Sequence, residues 1–278
     1  MKLITLIENT SEDSNLLNEH GLSIYFEIGD SKYLLDAGQS DKFISNALKL
    51  GVDLPNVDYA IISHNHYDHI GGLKYFLEIN NKAKVYIKAE AFQTSYHRLG
   101  FIKKELSYNY DFFDKYKDRI ILISEEIVLP ENVHILPIIR PDSRYVCKDR
   151  NMFMKVNNQY INDNFAHELY VAIDNNNLTI LSSCSHNGII NILNEAVEKF
   201  GKSVNYIIGG LHMMGSFGSN SINCTNEFID MTAKAMMSDS LKVVYTGHCT
   251  GIKAFRQLQK LLGEKLEYLN TGKVIIID

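Results

Sequence analysis

The chain has 278 residues, 45 % apolar and 22 % charged, with a formal net charge of −5. That is the composition of a globular protein with a sizeable core, and the negative balance argues against nucleic acid as the partner. No stretch approaches the about 18 apolar residues of a membrane span. The apolar run at residues 3–7 is too short for a secretory leader and has no small-residue cleavage site. A cytoplasmic location is therefore expected. With no C-x-x-C pair, Cys147, Cys184, Cys224 and Cys249 are expected to be reduced, as small buried fillers, with zinc ligation the alternative for Cys184 and Cys249, each within two residues of a candidate ligand histidine.

In chain order, residues 2–7 and 22–28 predict strands, and Gly29-Asp30 a hairpin turn into a return strand at 32–35. Ser40 suits a helix N-cap, with Phe43, Ile44, Ala47 and Leu48 at helical spacing up to Gly51. Residues 57–63 form a near-continuous apolar run, the mark of a central strand covered on both faces. A short helix at 72–79 and a strand at 84–88 follow. The segment 92–118 carries Phe92, Tyr96, Phe101, Tyr108, Tyr110, Phe112, Phe113 and Tyr116 with poor alternation, and predicts an aromatic-rich insertion of helices and loops. Strand character resumes at 120–123 and 134–138. Residues 140–150 are turn-rich, with Arg140, Arg144, Lys148 and Arg150 as candidate phosphate contacts.

Residues 168–173 and 178–182 predict a second hairpin around Asn175-Asn176-Asn177. An amphipathic helix at 189–200 stops at Gly201. Strands at 204–208, 241–245 and 273–277 alternate with helices after Thr225 and Gly251. His20-x-Leu22 and Val57-x-Tyr59 recur as His167-x-Leu169 and Val204-x-Tyr206, both offset by 147 residues. The repeated offset predicts two similar halves within one domain spanning 1–278.

The chemistry concentrates in Ser63-His64-Asn65-His66-Tyr67-Asp68-His69-Ile70-Gly71-Gly72. Three histidines and a carboxylate in six residues, after an apolar strand, have no packing rationale. Imidazole is the commonest protein ligand for zinc-like ions, and a carboxylate adds charge neutralisation. His64 and His66, at i and i+2, can share a face, while Asp68 and His69 follow the turn. Further histidines stand where predicted strands end: His186 in Ser-Cys-Ser-His-Asn-Gly, His212 in Gly-Gly-Leu-His, and His248 in Tyr-Thr-Gly-His-Cys-Thr-Gly. No G-x-S-x-G, phosphate-binding loop or dinucleotide fingerprint competes.

His-x-His-x-Asp-His after a strand resembles the hallmark of the metallo-β-lactamase superfamily. With Glu19-His20-Gly21-Leu22-Ser23 and the later motifs, the chain resembles the branch that includes the dihydropterin ribofuranosyl-aminobenzene phosphate synthase of methanopterin biosynthesis. The resemblance implies an α/β fold, a four-layer αββα sandwich of two pseudo-repeated halves. It implies one or two divalent metal ions, zinc first, with manganese or iron as alternatives. His64, His66 and His186 would hold one metal, and Asp68, His69 and His248 the other. His212 stands where most members place a bridging aspartate; an imidazole cannot bridge two metals, so it either binds one or contacts substrate. Asp36 would accept a ligand imidazole's second N–H, with His20 and His167 near the site.

The implied activity is hydrolysis by a metal-bound hydroxide, with Asp68 orienting the water or receiving its proton, on a small phosphorylated or cyclic-ester substrate. The alternatives are a di-iron oxidoreductase on the same fold, and a transferase or synthase acting on a pterin-like phosphorylated compound. A nuclease is disfavoured by charge, and a non-catalytic metal binder by the presence of every water-activating ligand.

Overall fold

The computed structural model describes residues 1–108, 111–138, 141–147 and 151–278. Tyr110, Arg140, Lys148, Asp149 and Arg150 lie outside the described residues. The chain divides into two compact units, Met1–Glu125 with Asn151–His167 and Asn270–Asp278, and Glu126–Arg150 with Glu168–Leu269.

In the first unit the apolar runs pair into a seven-stranded sheet. Its order is Val274–Ile276, Lys2–Ile7, Ser23–Ile28, Ser31–Leu35, Tyr59–Ile62, Lys84–Lys88, Ile120–Ile123. Lys2–Ile7, Ser23–Ile28 and Ser31–Leu35 run antiparallel in turn; every later neighbour is parallel. Alternation sets the two faces. Leu34, Ala60, Ile62, Val85 and Ile87 share a core with Phe43 and Ala47 of helix Lys42–Lys49 and Phe76 and Leu77 of helix Leu73–Ile79. The opposite positions Phe26, Tyr33 and Ile61 are fully buried too, as an unbroken apolar run requires.

The second unit repeats this pattern. Its sheet runs Leu266–Tyr268, Val243–Thr246, Val204–Gly209, Leu178–Ser182, Leu169–Asp174, Val133–Pro137, Ile127–Leu129. Here too three antiparallel pairings are followed by three parallel ones. Helices Ile189–Phe200, Asn226–Met236 and Ile252–Leu262 supply Ile192, Ala196, Ile229, Ala233, Ala254 and Leu258 to one core with the sheet. The α/β class and the pseudo-repeat are borne out. His20 and His167 each precede the second strand of the repeat, and Val57-x-Tyr59 and Val204-x-Tyr206 meet the fourth.

The segment 92–118 differs from expectation. Ser95–Leu99 and Ile102–Glu105 are strands, joined by Met152–Val156 and Gln159–Asn162 into a four-stranded antiparallel sheet of the first unit. Ile102–Glu105 is exposed throughout, so no face imposed an apolar alternation, and Met152–Val156, the second partner of Ser95–Leu99, lies far downstream in sequence. Among the described residues helix is confined here to one turn each at Ala89–Phe92, Phe113–Tyr116 and Lys117–Arg119. Among the described residues no helix is long and apolar enough to cross a membrane.

Phe76 is fully buried at the heart of the first core. Phe76→Ala is expected to cost about 3–5 kcal/mol, read as a lowered denaturant midpoint at unchanged slope.

Candidate functional site

The histidine-rich stretch of the first unit leaves the C-terminal end of strand Tyr59–Ile62 and enters the single helical turn Tyr67–Ile70. Its neighbour Ser31–Leu35 is parallel, so Asp36 emerges beside it. The two segments are laced together: Ala37 N–H donates to His69 C=O at 2.7 Å and Gly72 N–H to Gly38 C=O at 3.0 Å. This closeness explains Gly-Gly. A Cβ on Gly72 would run into the carbonyl oxygens of Ala37 and Ser40. On the other side, Tyr67 N–H donates to Leu106 C=O at 2.7 Å, and His66 bridges Ser107. The small sheet therefore helps to hold the loop.

Asp36 organises the imidazoles. It is fully buried and holds φ +58°, a left-handed conformation that Asp tolerates better than most residues. Oδ1 accepts Ser63 N–H at 2.7 Å; Oδ2 accepts the Ser63 hydroxyl at 2.7 Å and lies 2.8 Å from His69 Nδ1. Ser63 Oγ is also 2.7 Å from His64 Nδ1. The Ser63 proton is committed to Asp36, so His64 Nδ1 is the donor of that bond. Both rings then carry their proton on Nδ1, as the network assigns, and turn Nε2, with its lone pair, away. His64 and His69 rings are centred 4.1 Å apart, and His64 and His66 4.6 Å.

Burial, reinforced by the neighbouring imidazoles His69, His66 and His167, holds His64 well below its usual pKa. Burial and His167 likewise push His66 down to about 3. Both are neutral at physiological pH, the state a cation requires. Asp68 is buried, with Oδ2 3.2 Å from His20 Nε2 and 3.7 Å from His69 Nε2. His167 lies with its ring 5.3 Å from His66, and its buried Nδ1 has no hydrogen-bond partner.

Asp163, absent from the sequence expectation, sits here as well. Its Oδ2 is 3.5 Å from His167 Nε2 and 3.0 Å from Ser95 Oγ, and its Oδ1 accepts Phe165 N–H at 2.8 Å. Burial opposes its ionisation, but His167, the His66 charge and that N–H outweigh it and hold the carboxyl at about 2. One donor atom each from His66, Asp163 and His167 lies within 4.8 Å of the others. The only sequence signal for Asp163 is its i, i+4 spacing to His167.

In the second unit, strands Leu178–Ser182, Val204–Gly209 and Val243–Thr246 are adjacent and parallel, with Ser182 opposite Gly209 and Gly209 opposite Thr246. Their ends are in register, so the segments carrying His186, His212 and His248 leave the sheet side by side. Ser185, His212 and His248 take left-handed φ of +55°, +48° and +48°. Such strained turns persist only where the surroundings enforce them. Glu168, also unforeseen, is buried and accepts His186 N–H at 2.7 Å, Asn187 N–H at 2.8 Å and Asn187 Nδ2 at 2.9 Å. His186 and His212 rings are centred 4.1 Å apart. Cys249 Sγ lies 3.5 Å from Cys184 C=O. Burial opposes ionisation of the Cys249 thiol, yet hydrogen bonds with Cys184 and His212 and the charges of His248 and His212 set it well below its usual pKa. All four cysteines are free thiols.

Of the four cations expected to contact phosphate at 140–150, Arg144 alone lies among the described residues. Arg144 is on the surface and bonds to Asp142 at 2.6–3.1 Å.

The donor set of the first unit fits a divalent cation: neutral, fully buried imidazoles with oriented Nε2 atoms beside a carboxylate. Asp36→Asn keeps the shape but loses a carboxylate acceptor. It is expected to weaken metal affinity about 10–100-fold, measured by chelator competition. Stability should also depend on pH. The folded-state pKa of His66, about 3, is below its ordinary 6.5, so the unfolded chain binds the extra proton. The metal-free protein should lose stability as pH falls from 6.5 towards 3, and His66→Gln should flatten that slope in denaturant titrations.

Residues 18–143 match the model of the metallo-beta-lactamase superfamily. The 7,8-dihydropterin-6-methyl-4-(beta-D-ribofuranosyl)-aminobenzene-5'-phosphate synthase of Methanocaldococcus jannaschii is 29 % identical over 99 % of this chain and 96 % of its own. An uncharacterized protein of the same organism is 27 % identical over 97 % and 98 %. Among solved structures, Tm1679, a metal-dependent hydrolase of the beta-lactamase superfamily, superposes with a TM-score of 0.82 and 26 % identity, over 100 % of this chain and 99 % of that one. With the His-x-His-x-Asp-His loop at the end of a central parallel strand and the repeated sheet pattern, these matches show a metallo-beta-lactamase domain match over residues 18–143 and a metallo-β-lactamase-like α/β fold over the chain.

Proposed function

We propose that the chain is a metallohydrolase that binds one or two divalent cations, zinc before manganese or iron, and acts on a small phosphorylated or cyclic-ester substrate. The observation that carries this is the Asp36–Ser63–His64 and Asp36–His69 hydrogen-bond pair, which leaves two buried imidazoles with Nε2 as donor. A structural role for these residues would not call for two buried rings whose Nδ1 atoms are held by one carboxylate network. The grouping of His64 and His66 with His186, and of Asp68 and His69 with His248, around such cations is the one the family resemblance implies. Asp36 supports this set from behind, and His212 is a further candidate ligand.

A bound divalent cation supplies Lewis acidity and brings the pKa of a coordinated water towards about 7. The chain's residues do the rest. Asp68 orients the attacking water and takes its proton, and His20, 3.2 Å away, steadies that carboxylate. His167 and Asp163 lie beside His66, where they can contact the substrate's reacting group.

A second reading, a transferase or synthase acting on a pterin-like phosphorylated compound, is favoured by the relative named above, which aligns over nearly the whole chain. A cleft of about 650 Å³ in the first unit, walled by Phe92, Tyr108 and Phe113 beside Ser107, suits a flat ring.

Metal analysis of protein purified without added metal, followed by a panel of phosphodiesters, phosphomonoesters and lactones, tests the proposal. Asp68→Asn is expected to lower kcat on the hydrolysed substrate by about 10²–10⁴-fold. A metal-loaded protein that turns over none of the panel, yet consumes a phosphorylated pterin-like compound with a co-substrate, overturns the hydrolase reading in favour of the synthase one.

A further inference from the structure

The cysteines of the second unit are expected first as fillers, with zinc ligation the alternative, and two of them converge with histidine. Cys184 Sγ, Cys249 Sγ and a ring nitrogen of His248 lie within 4.8 Å of one another, and all three side chains are buried. They come from the ends of two strands, Leu178–Ser182 and Val243–Thr246, which flank Val204–Gly209 on either side. His212 follows that middle strand and acts on the Cys249 thiol. The middle strand ends in Gly209-Gly210, and a Cβ on Gly210 would collide with Cys249 Sγ. The space for that sulfur thus depends on glycine at 210. His212 and His248 both adopt left-handed backbone to reach the cluster.

Two thiols and two imidazoles gathered in this way are the donor set of a tetrahedral, thiophilic cation site. A filler cysteine needs only apolar neighbours. We propose that Cys184, Cys249 and His248, with His212 as fourth donor, form a sulfur–nitrogen cation site in the second unit, for zinc or a similar soft divalent ion. It deepens the metal-dependent reading above by giving sulfur a share in the coordination of His248. On binding, the two S–H bonds break, two metal–sulfur bonds form, and two protons pass to solvent, with no change in oxidation state.

The test is titration of the reduced, metal-free protein with Co²⁺ under anaerobic conditions, read by thiolate-to-metal charge-transfer absorption and by metal stoichiometry. The expected result is an intense near-ultraviolet band in the wild type that persists in His64→Ala/His66→Ala and in Cys147→Ser/Cys224→Ser. It should fall by at least half in Cys249→Ser and vanish in Cys184→Ser/Cys249→Ser. Thermal unfolding of the single Cys249→Ser variant checks that it folds, should the double variant fail. Co²⁺ uptake without the band, or a band that survives in Cys184→Ser/Cys249→Ser, overturns the sulfur site and leaves the imidazole reading standing. A band without any hydrolysis leaves the sulfur site standing and counts against the hydrolase reading alone.

Discussion

One buried carboxylate sets the geometry of the first unit. Asp36 is fully shielded from solvent, and a carboxylate so placed is tolerable only if hydrogen bonds replace its hydration. It finds them in Ser63 and His69, all on the histidine loop. The carboxylate cannot leave without disorganising the loop, and the loop cannot shift without stranding the carboxylate. The imidazoles are thus oriented before any ligand arrives, so the ordering cost is met by folding rather than by binding.

The repeat extends this logic. In the first unit Glu19, next to His20, accepts Gln39 N–H, Ser40 N–H and the Ser40 hydroxyl, on the segment after the third strand of the repeat. In the second unit Glu168, next to His167, accepts two N–H groups and a side-chain amide on the segment after the corresponding strand. Both carboxylates clamp the same turn of the same supersecondary pattern. The pairing of identities at a fixed spacing was visible in the chain; the clamps were not, because a glutamate beside a histidine looks like solvated surface until its burial is known.

The fold was legible where burial writes a period into the sequence. Strands Tyr59–Ile62 and Val204–Gly209 are covered on both faces and read as apolar runs; helix Ile189–Phe200 declares its core stripe and its glycine stop. The hairpin Ser95–Leu99 and Ile102–Glu105 was illegible because its residues are mostly half or fully exposed, and its third strand is far away in sequence. The histidines were legible because their density exceeds any packing need. Asp163 was not: a single aspartate four residues before a histidine is ordinary, and only burial beside His66 makes it otherwise. The cysteines were legible only in part: Cys184 and Cys249 stand within two residues of His186 and His248, but their convergence joins separate strands, which local spacing does not announce.

The left-handed backbone at His212 has an evolutionary corollary. At φ +48° the residues tolerated best, glycine aside, are asparagine, aspartate and histidine. Most superfamily members carry aspartate where this chain has histidine, and the turn accepts either without being rebuilt. An exchange of aspartate and histidine at this position therefore leaves the strand end and its neighbours in place. This corner of the scaffold is a point where the side-chain donor can change while the architecture stays constant.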